Sequence, residues 1–223
     1  MSVFDTFLNY RVFVETLPLI LSGLMTTLTL GAVCIVLGFL GGVGLAVARL
    51  YAPRALRVIA IAYIDVFRAI PVLVLLFIVY YALPFAGVRL SAFASATAAI
   101  TAVSSAYVAE IVRAGIEAIP KGQFEASRAL GLRFGVTMRK VILPQALRIV
   151  VPPLTSNSIN VVKDTALASV VAMPDLLKQA NQAQALAANP TPLIVAAGIY
   201  LIILLPLVRL VGALENRGAR RRA

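Results

Sequence analysis

Charged and amide side chains stand inside strongly apolar runs of this chain: Asp65 and Arg68, Glu110 and Arg113, and the group Asn157, Asn160 and Asp164. Ionisable and amide groups are costly in an apolar medium and are read there as functional by default. Asn157, Asn160 and Asp164 stand at i, i+3 and i+7, which is one face of a helix. That face offers a carboxylate able to receive an ammonium and two amides able to bond either end of a small polar solute. This is the chemistry of binding rather than of bond making. The alternative for Asp164 is an ion pair with Arg68 or with Lys163 of a second copy, and for the asparagines a role as interhelical glue. Asp65 with Arg68, and Glu110 with Arg113, are each three apart on one helix face and read as structural or gating ion pairs. The sequence has no histidine and one cysteine, Cys34, which lies in an apolar run. Zinc triads, histidine catalysis, disulfide frameworks and cysteine metal clusters are therefore excluded, no nucleophile–base pair stands out, and neither a catalytic nor a metal site is expected.

The elements that position these residues follow from composition. Of 223 residues, 61% are hydrophobic and 13% charged, against about 45–50% and about 25% in soluble domains. The chain reads as a single all-α integral membrane domain, because in lipid every backbone polar group must pair internally. With about 20 apolar residues needed per crossing, five spans are expected, at 17–47, 56–83, 91–112, 149–173 and 193–214. The first holds Gly38 and Gly42 in a GxxxG pair, a signal for close helix packing. The third is rich in Ala, Ser and Thr, which suits a helix buried among others. The fourth is interrupted early by Pro152 and Pro153, which free backbone carbonyls. The residues before the first span carry no basic leader region, so it reads as retained.

The formal charge of +11 would suggest nucleic acid on a soluble chain. Here the basic residues flank apolar spans, and no nucleic-acid partner is expected. Arg49, Arg54 and Arg57, the run from Arg113 to Arg148, and Arg217, Arg220, Arg221 and Arg222 mark three basic segments. They alternate with connections at 84–90 and 175–191 that are poor in basic residues. By the positive-inside rule this places the N-terminus outside and the C-terminus in the cytoplasm.

The basic loop at 114–145 contains EAIPKGQFEASRALG from Glu117 to Gly131, then VILP ending at Pro144. It resembles the EAA loop of ABC importer permeases, a pattern of Glu-Ala-Ala, three residues, Gly, nine residues, Ile, one residue, Leu-Pro. Glu125, Ala126 and Ser127 fill the triplet, Gly131 follows at the family spacing, Val141 stands for Ile, and Leu143 and Pro144 close it. VFRAIP ending at Pro71, AYVAEIVRAG ending at Gly115, IPKGQ ending at Gln123 and KDTALA ending at Ala168 are similar to the polar amino-acid branch of the family.

The resemblance implies a transmembrane subunit of an ATP-driven importer that carries polar amino acids by alternating access. In it the 117–144 segment docks on an ATPase subunit dimer through a short coupling helix, with Gly122, Phe124, Glu125, Ala126, Ser127, Leu130 and Gly131 as the coupling residues. It also implies a second permease subunit, identical or homologous, an extracytoplasmic amino-acid-binding protein, and a place in the bacterial inner membrane. Asn157, Asn160 and Asp164 would line the substrate pathway, where a free amino acid is a zwitterion. The residues agree with the coupling role: Gln123 to Leu130 can form about two turns, with Glu125 near the N-terminus, Arg128 near the C-terminus, and Gly131 suited to a left-handed stop. Ala126, Ser127 and Ala129 would give a slim surface. No GxxxxGK[ST] phosphate loop occurs, so ATP and Mg would be held by the partner, and no cofactor by this chain. The same signals leave open a permease for another small zwitterion or an opine. An ion-coupled secondary transporter would call for internal repeats, and none is evident.

Overall fold

The computed structural model describes residues 6–220, with side chains described for 6–213. Among these the chain is helical without strands. The C-terminal arginines from Arg217 onward lie outside the described side chains.

Helix α1, Tyr10–Tyr51, opens on Asn9, whose Oδ1 accepts from the Val12 amide at 3.2 Å. Its 42 residues reach about 63 Å at about 1.5 Å per residue, twice the roughly 30 Å of a hydrocarbon core. It therefore runs past both ends of the expected 17–47 span. The GxxxG pair packs as anticipated: a Cβ on Gly38 would meet Ser104 Oγ at 2.7 Å, and one on Gly42 would meet the Ser105 carbonyl at 2.7 Å.

The expected continuous span at 56–83 is a broken pair. Helix α2, Arg54–Ala69, stops at Ile70, which is extended at φ −86°, ψ 127°. Helix α3, Val72–Phe77, restarts after Pro71 and continues through a π turn and a 3-10 turn to Ala86, bent by 103° from α2. The cause is local: proline disfavours helical backbone in the residue before it, so Ile70 becomes a hinge.

Helix α4, Ala92–Glu117, is capped by Ser91 Oγ, which accepts from the Ala94 amide at 3.2 Å. Its small side chains let it sit at the centre: 56% of its most apolar stretch is buried, against 33% for α1 and 17% for the last helix. Ala96, Ala99, Ile100, Leu30, Leu76 and Val161 share the main core.

A short helix α5, Lys121–Ala129, leads through α6, Phe134–Thr137, and a π turn into α7, Leu143–Asp164. Pro152 and Pro153 lie inside α7 without interrupting it, contrary to the expected break. A 3-10 turn, Thr165–Val171, ends α7. The expected polar connection at 175–191 is in large part a helix, α8, Leu176–Ala187, which buries Leu176, Ala180 and Ala183. These stand at i, i+4 and i+7, a helical stripe, while Asn181 and Gln182 face outward and Gln179 packs toward Gly23 of α1. Helix α9, Thr191–Arg220, closes the chain. By length and composition, three helices could cross a membrane, α1, α4 and the described part of α9, or four with the bent α2–α3 pair counted.

Candidate permease pathway and coupling loop

The break at Ile70 and Pro71 opens a cavity of about 440 Å³ between α2, α4 and α7, lined by Arg68, Ser104, Tyr107, Asn157, Asn160 and Asp164 among others. Pockets for small ligands run from roughly 300 to 1,000 Å³. Arg68 comes from the last turn of α2, Ser104 and Tyr107 from one face of α4, and the amides and carboxylate from one face of α7. The three α7 residues singled out by spacing thus face one space. Asn157 Nδ2 donates to Ser104 Oγ at 3.1 Å, so this asparagine does tie two helices while bordering the cavity. No ion pair joins Asp164 to Arg68 or to Lys163 among the described residues.

The Asp65–Arg68 pair does not form. Asp65 is exposed, and Arg68 reaches across to α4. Its guanidinium carbon lies 5.6 Å from the centre of the Tyr107 ring and its Nη1 lies 4.0 Å from Glu110 Oε1. A half-buried carboxylate and an aromatic face hold a guanidinium better than an exposed aspartate does. The Glu110–Arg113 pair does form. Glu110 Oε2 accepts from Arg113 Nε and from Arg49 Nη1 of α1, both at 3.1 Å, and Oε1 accepts from Arg113 Nη2 at 2.5 Å. Arg113 also pairs with Glu117 at the end of α4. The forked contact of Arg113 on Glu110 is the strong form of such a bond.

Helix α5 is the coupling element read from sequence. Its end follows a Schellman pattern: the Leu132 amide donates to the Ser127 carbonyl at 3.0 Å, with Gly131 left-handed at φ +73°. It begins at Lys121, so Glu125 sits mid-helix rather than near the N-terminus, and only Arg128 lies in a terminal turn. The slim surface also needs correcting. Ser127 is buried and donates to the Gln123 carbonyl at 2.8 Å, and Phe124 packs inward on Ile116, Ile119, Met138, Ile142 and Ala146. Gly122, Glu125, Ala126, Ala129 and Gly131 are exposed, and Leu130 is 78% exposed. An apolar side chain is thus displayed beside small ones on the outer face of α5.

Spacing alone missed Ser104 and Tyr107 as cavity residues, although their separation of three on one helix was a usable signal. It also missed Asp175, fully buried in the connection before α8. Asp175 Oδ1 accepts from the Lys178 amide at 2.9 Å as the cap of α8, while Oδ2 has no partner. Burial pushes this carboxyl up to about 6.

Residues 38–220 match the family model described as binding-protein-dependent transport system inner membrane component. The probable glutamine ABC transporter permease protein GlnM of Bacillus subtilis is 36% identical over 94% of this chain and 98% of its own length. The arginine transport system permease protein ArtQ of the same organism is 36% identical over 94% of this chain and 97% of its own. A crystal structure of an amino acid ABC transporter with histidines superposes with a TM-score of 0.88 at 36% identity, covering 97% of this chain and all of that one. An inward-facing structure of the MetNI methionine ABC transporter superposes with a TM-score of 0.61 at 27% identity, covering 96% of this chain and 99% of that one. The chain therefore belongs to the family of binding-protein-dependent transport system inner membrane components, multi-pass permease subunits of ABC importers that are not themselves enzymes and that work with an ATPase and a substrate-binding protein.

Proposed function

We propose that this chain, paired with a second permease subunit, identical or homologous, forms the pathway by which polar amino acids enter the cytoplasm through alternating access. The observation that carries the cargo is the placing of opposite charges on one cavity: Arg68 on α2 and Asp164 on α7, with Asn157 and Asn160 beside them. A free amino acid is a zwitterion. Asp164 receives its ammonium, Arg68 its carboxylate, and the amides serve whatever polar group the side chain brings. The names of the relatives, which include glutamine and arginine transport, support the class of cargo.

Uptake is driven by an ATPase dimer that holds ATP and Mg and docks on the exposed face of α5, with Gly122, Glu125, Ala126, Leu130 and Gly131 in contact, while Phe124 and Ser127 anchor the helix to its own subunit. Closure of the dimer moves α5 and the helices behind it as a rigid body. Five crossings, by α1, the bent α2–α3 pair, α4, α7 with its 3-10 extension, and α9, with the N-terminus outside, are supported by the alternation of basic segments. An extracytoplasmic binding protein delivers the amino acid.

The test is uptake of radiolabelled L-glutamine and L-arginine by proteoliposomes holding the permease, its ATPase and its binding protein. Arg68→Ala and Asp164→Ala are expected to lower uptake of the transported amino acid steeply. Glu125→Lys and Gly131→Arg are expected to abolish uptake while insertion stays normal. Undiminished uptake in the cavity variants would overturn the cargo reading, and undiminished uptake in the loop variants would overturn the docking assignment.

A further inference from the structure

The contacts of Arg68 go beyond lining the cavity. Three guanidiniums from three helices converge on Glu110: Arg49 of α1, Arg68 of α2 and Arg113 of α4. They are held unequally. Arg113 and Arg49 lie at hydrogen-bonding distance, 2.5 Å and 3.1 Å, whereas Arg68 stands off at 4.0 Å. Its side chain is 39% exposed, against 22% for each of the other two. Counting Glu117, which pairs with Arg113, three cations face two carboxylates in this cluster, and Asp164 shares the cavity lining with Arg68. Arg68 is the cation with the loosest hold, and it is also the one that borders the cavity.

We infer that Glu110 is a positioning residue that holds Arg68 while the cavity is empty and competes with the carboxylate of an arriving amino acid for it. The inference rests on the proposed role of Arg68 as the carboxylate partner. The incoming carboxylate can replace the long contact with a direct forked one, while the ammonium of the same zwitterion goes to Asp164. Glu110 stays anchored by Arg49 and Arg113, so it keeps its place when Arg68 leaves. The same carboxylate starts a run of charges, Glu110, Arg113 and Glu117, that ends four residues before α5 begins at Lys121. Filling the cavity thus removes one of three cations from a cluster whose other end lies at the coupling loop. A change of partners in this cluster is the kind of discrete rearrangement that lets one site bias another.

The test compares acids with their amides, because an amide keeps the ammonium and side chain but lacks the carboxylate. The intact permease–ATPase complex in nanodiscs is titrated with L-glutamine, L-arginine, L-glutaminamide and L-argininamide. Wild type is expected to prefer the acid of its substrate, and Arg68→Ala to lose that preference. Glu110→Gln is expected to bind the acid about tenfold tighter, within the usual span of coupling between sites, with the amide changed less than about twofold. Glu110→Asp keeps the charge for Arg49 and Arg113 but draws it back from Arg68, and is expected to move the same way by a smaller factor; it decides the matter if Glu110→Gln does not assemble. A wild-type acid-to-amide ratio in both variants, or an equal loss for acid and amide, would overturn the role of Glu110. A wild type indifferent to the carboxylate, or an Arg68→Ala variant that keeps the preference, would instead overturn the assignment of Arg68.

Discussion

Asp164 and Asp175 flank the 3-10 turn that ends α7. Asp164 borders an open cavity that Arg68 also lines, and among the described residues no ion pair claims it. Asp175 is fully buried against α1, where the Asp175 carbonyl would lie 2.5 Å from a Cβ on Gly23. One of its oxygens caps α8 and the other has no partner, as is also true of Gln179 Oε1 and the Tyr200 hydroxyl. The two residues show that an acidic side chain withdrawn from solvent has two quite different uses. One faces open volume whose lining also holds an opposite charge, Arg68. The other gives up solvation to fix the end of a helix, and the cost appears as a carboxyl raised to about 6.

The contrast is broken most directly at Asp164. Asp164→Ala is expected to lower uptake at least about 30-fold, equivalent to about 2 kcal/mol for losing a charged partner of a buried ligand group. Its melting temperature in detergent should match wild type, because among the described residues its carboxylate forms no ion pair. Uptake within threefold of wild type would place Asp164 with the structural residues.

On the other side, Gly23→Ala sets a methyl group against the Asp175 backbone and should cost about 1–3 kcal/mol of stability by overpacking, read as a lower melting temperature and reduced yield. Such a variant that melts like wild type would mean that α8 is free to move off α1.

Asp175→Asn sharpens the comparison through pH. A buried carboxyl with a folded value near 6 and an ordinary unfolded value near 3.9 binds protons more readily in the folded state. Its contribution to stability therefore falls as pH rises from about 4 to about 6, and the full penalty is present above that. Asparagine keeps the capping oxygen and never ionises. The variant is expected to be more stable than wild type by about 2–3 kcal/mol at pH 7.5 and close to it near pH 4. A difference that does not vary with pH would show that burial in the folded protein does not raise the Asp175 carboxyl above its unfolded value.

The smallest effect is expected at Ser104. Ser104→Ala removes the acceptor for Asn157 Nδ2 and should change substrate affinity by about threefold, since one neutral hydrogen bond contributes about 1 kcal/mol or less. The shift would show that Asn157 is oriented by α4 rather than by the ligand alone.

Much of this was legible before any coordinates. Apolar runs too long and too continuous for a soluble core imply helices in a membrane, because unpaired backbone is not tolerated in lipid. The 3.6-residue period is enough to put Asn157, Asn160 and Asp164 on one face, since their relation is internal to one helix. The same is true of Gly131, where the turn chemistry of a helix end is local. Glu110 and Arg113 are likewise one turn apart on a single helix.

What spacing left undecided was every relation between helices. Asp65 and Arg68 are correctly spaced to pair, yet Arg68 turns to Tyr107 and Glu110, because only packing brings a half-buried carboxylate from α4 within its reach. The break at Ile70 has a local cause in Pro71, but that it opens a cavity facing α7 depends on where α4 and α7 lie. Ser127 and Phe124 share a loop motif with Glu125 and Leu130, and only the apolar cluster beneath α5 determines which of them turn inward. Sequence by itself established the membrane class, the helix faces and the loop; tertiary structure decided which faces meet, because charge pairing and burial depend on distances between segments that periodicity within one segment does not contain.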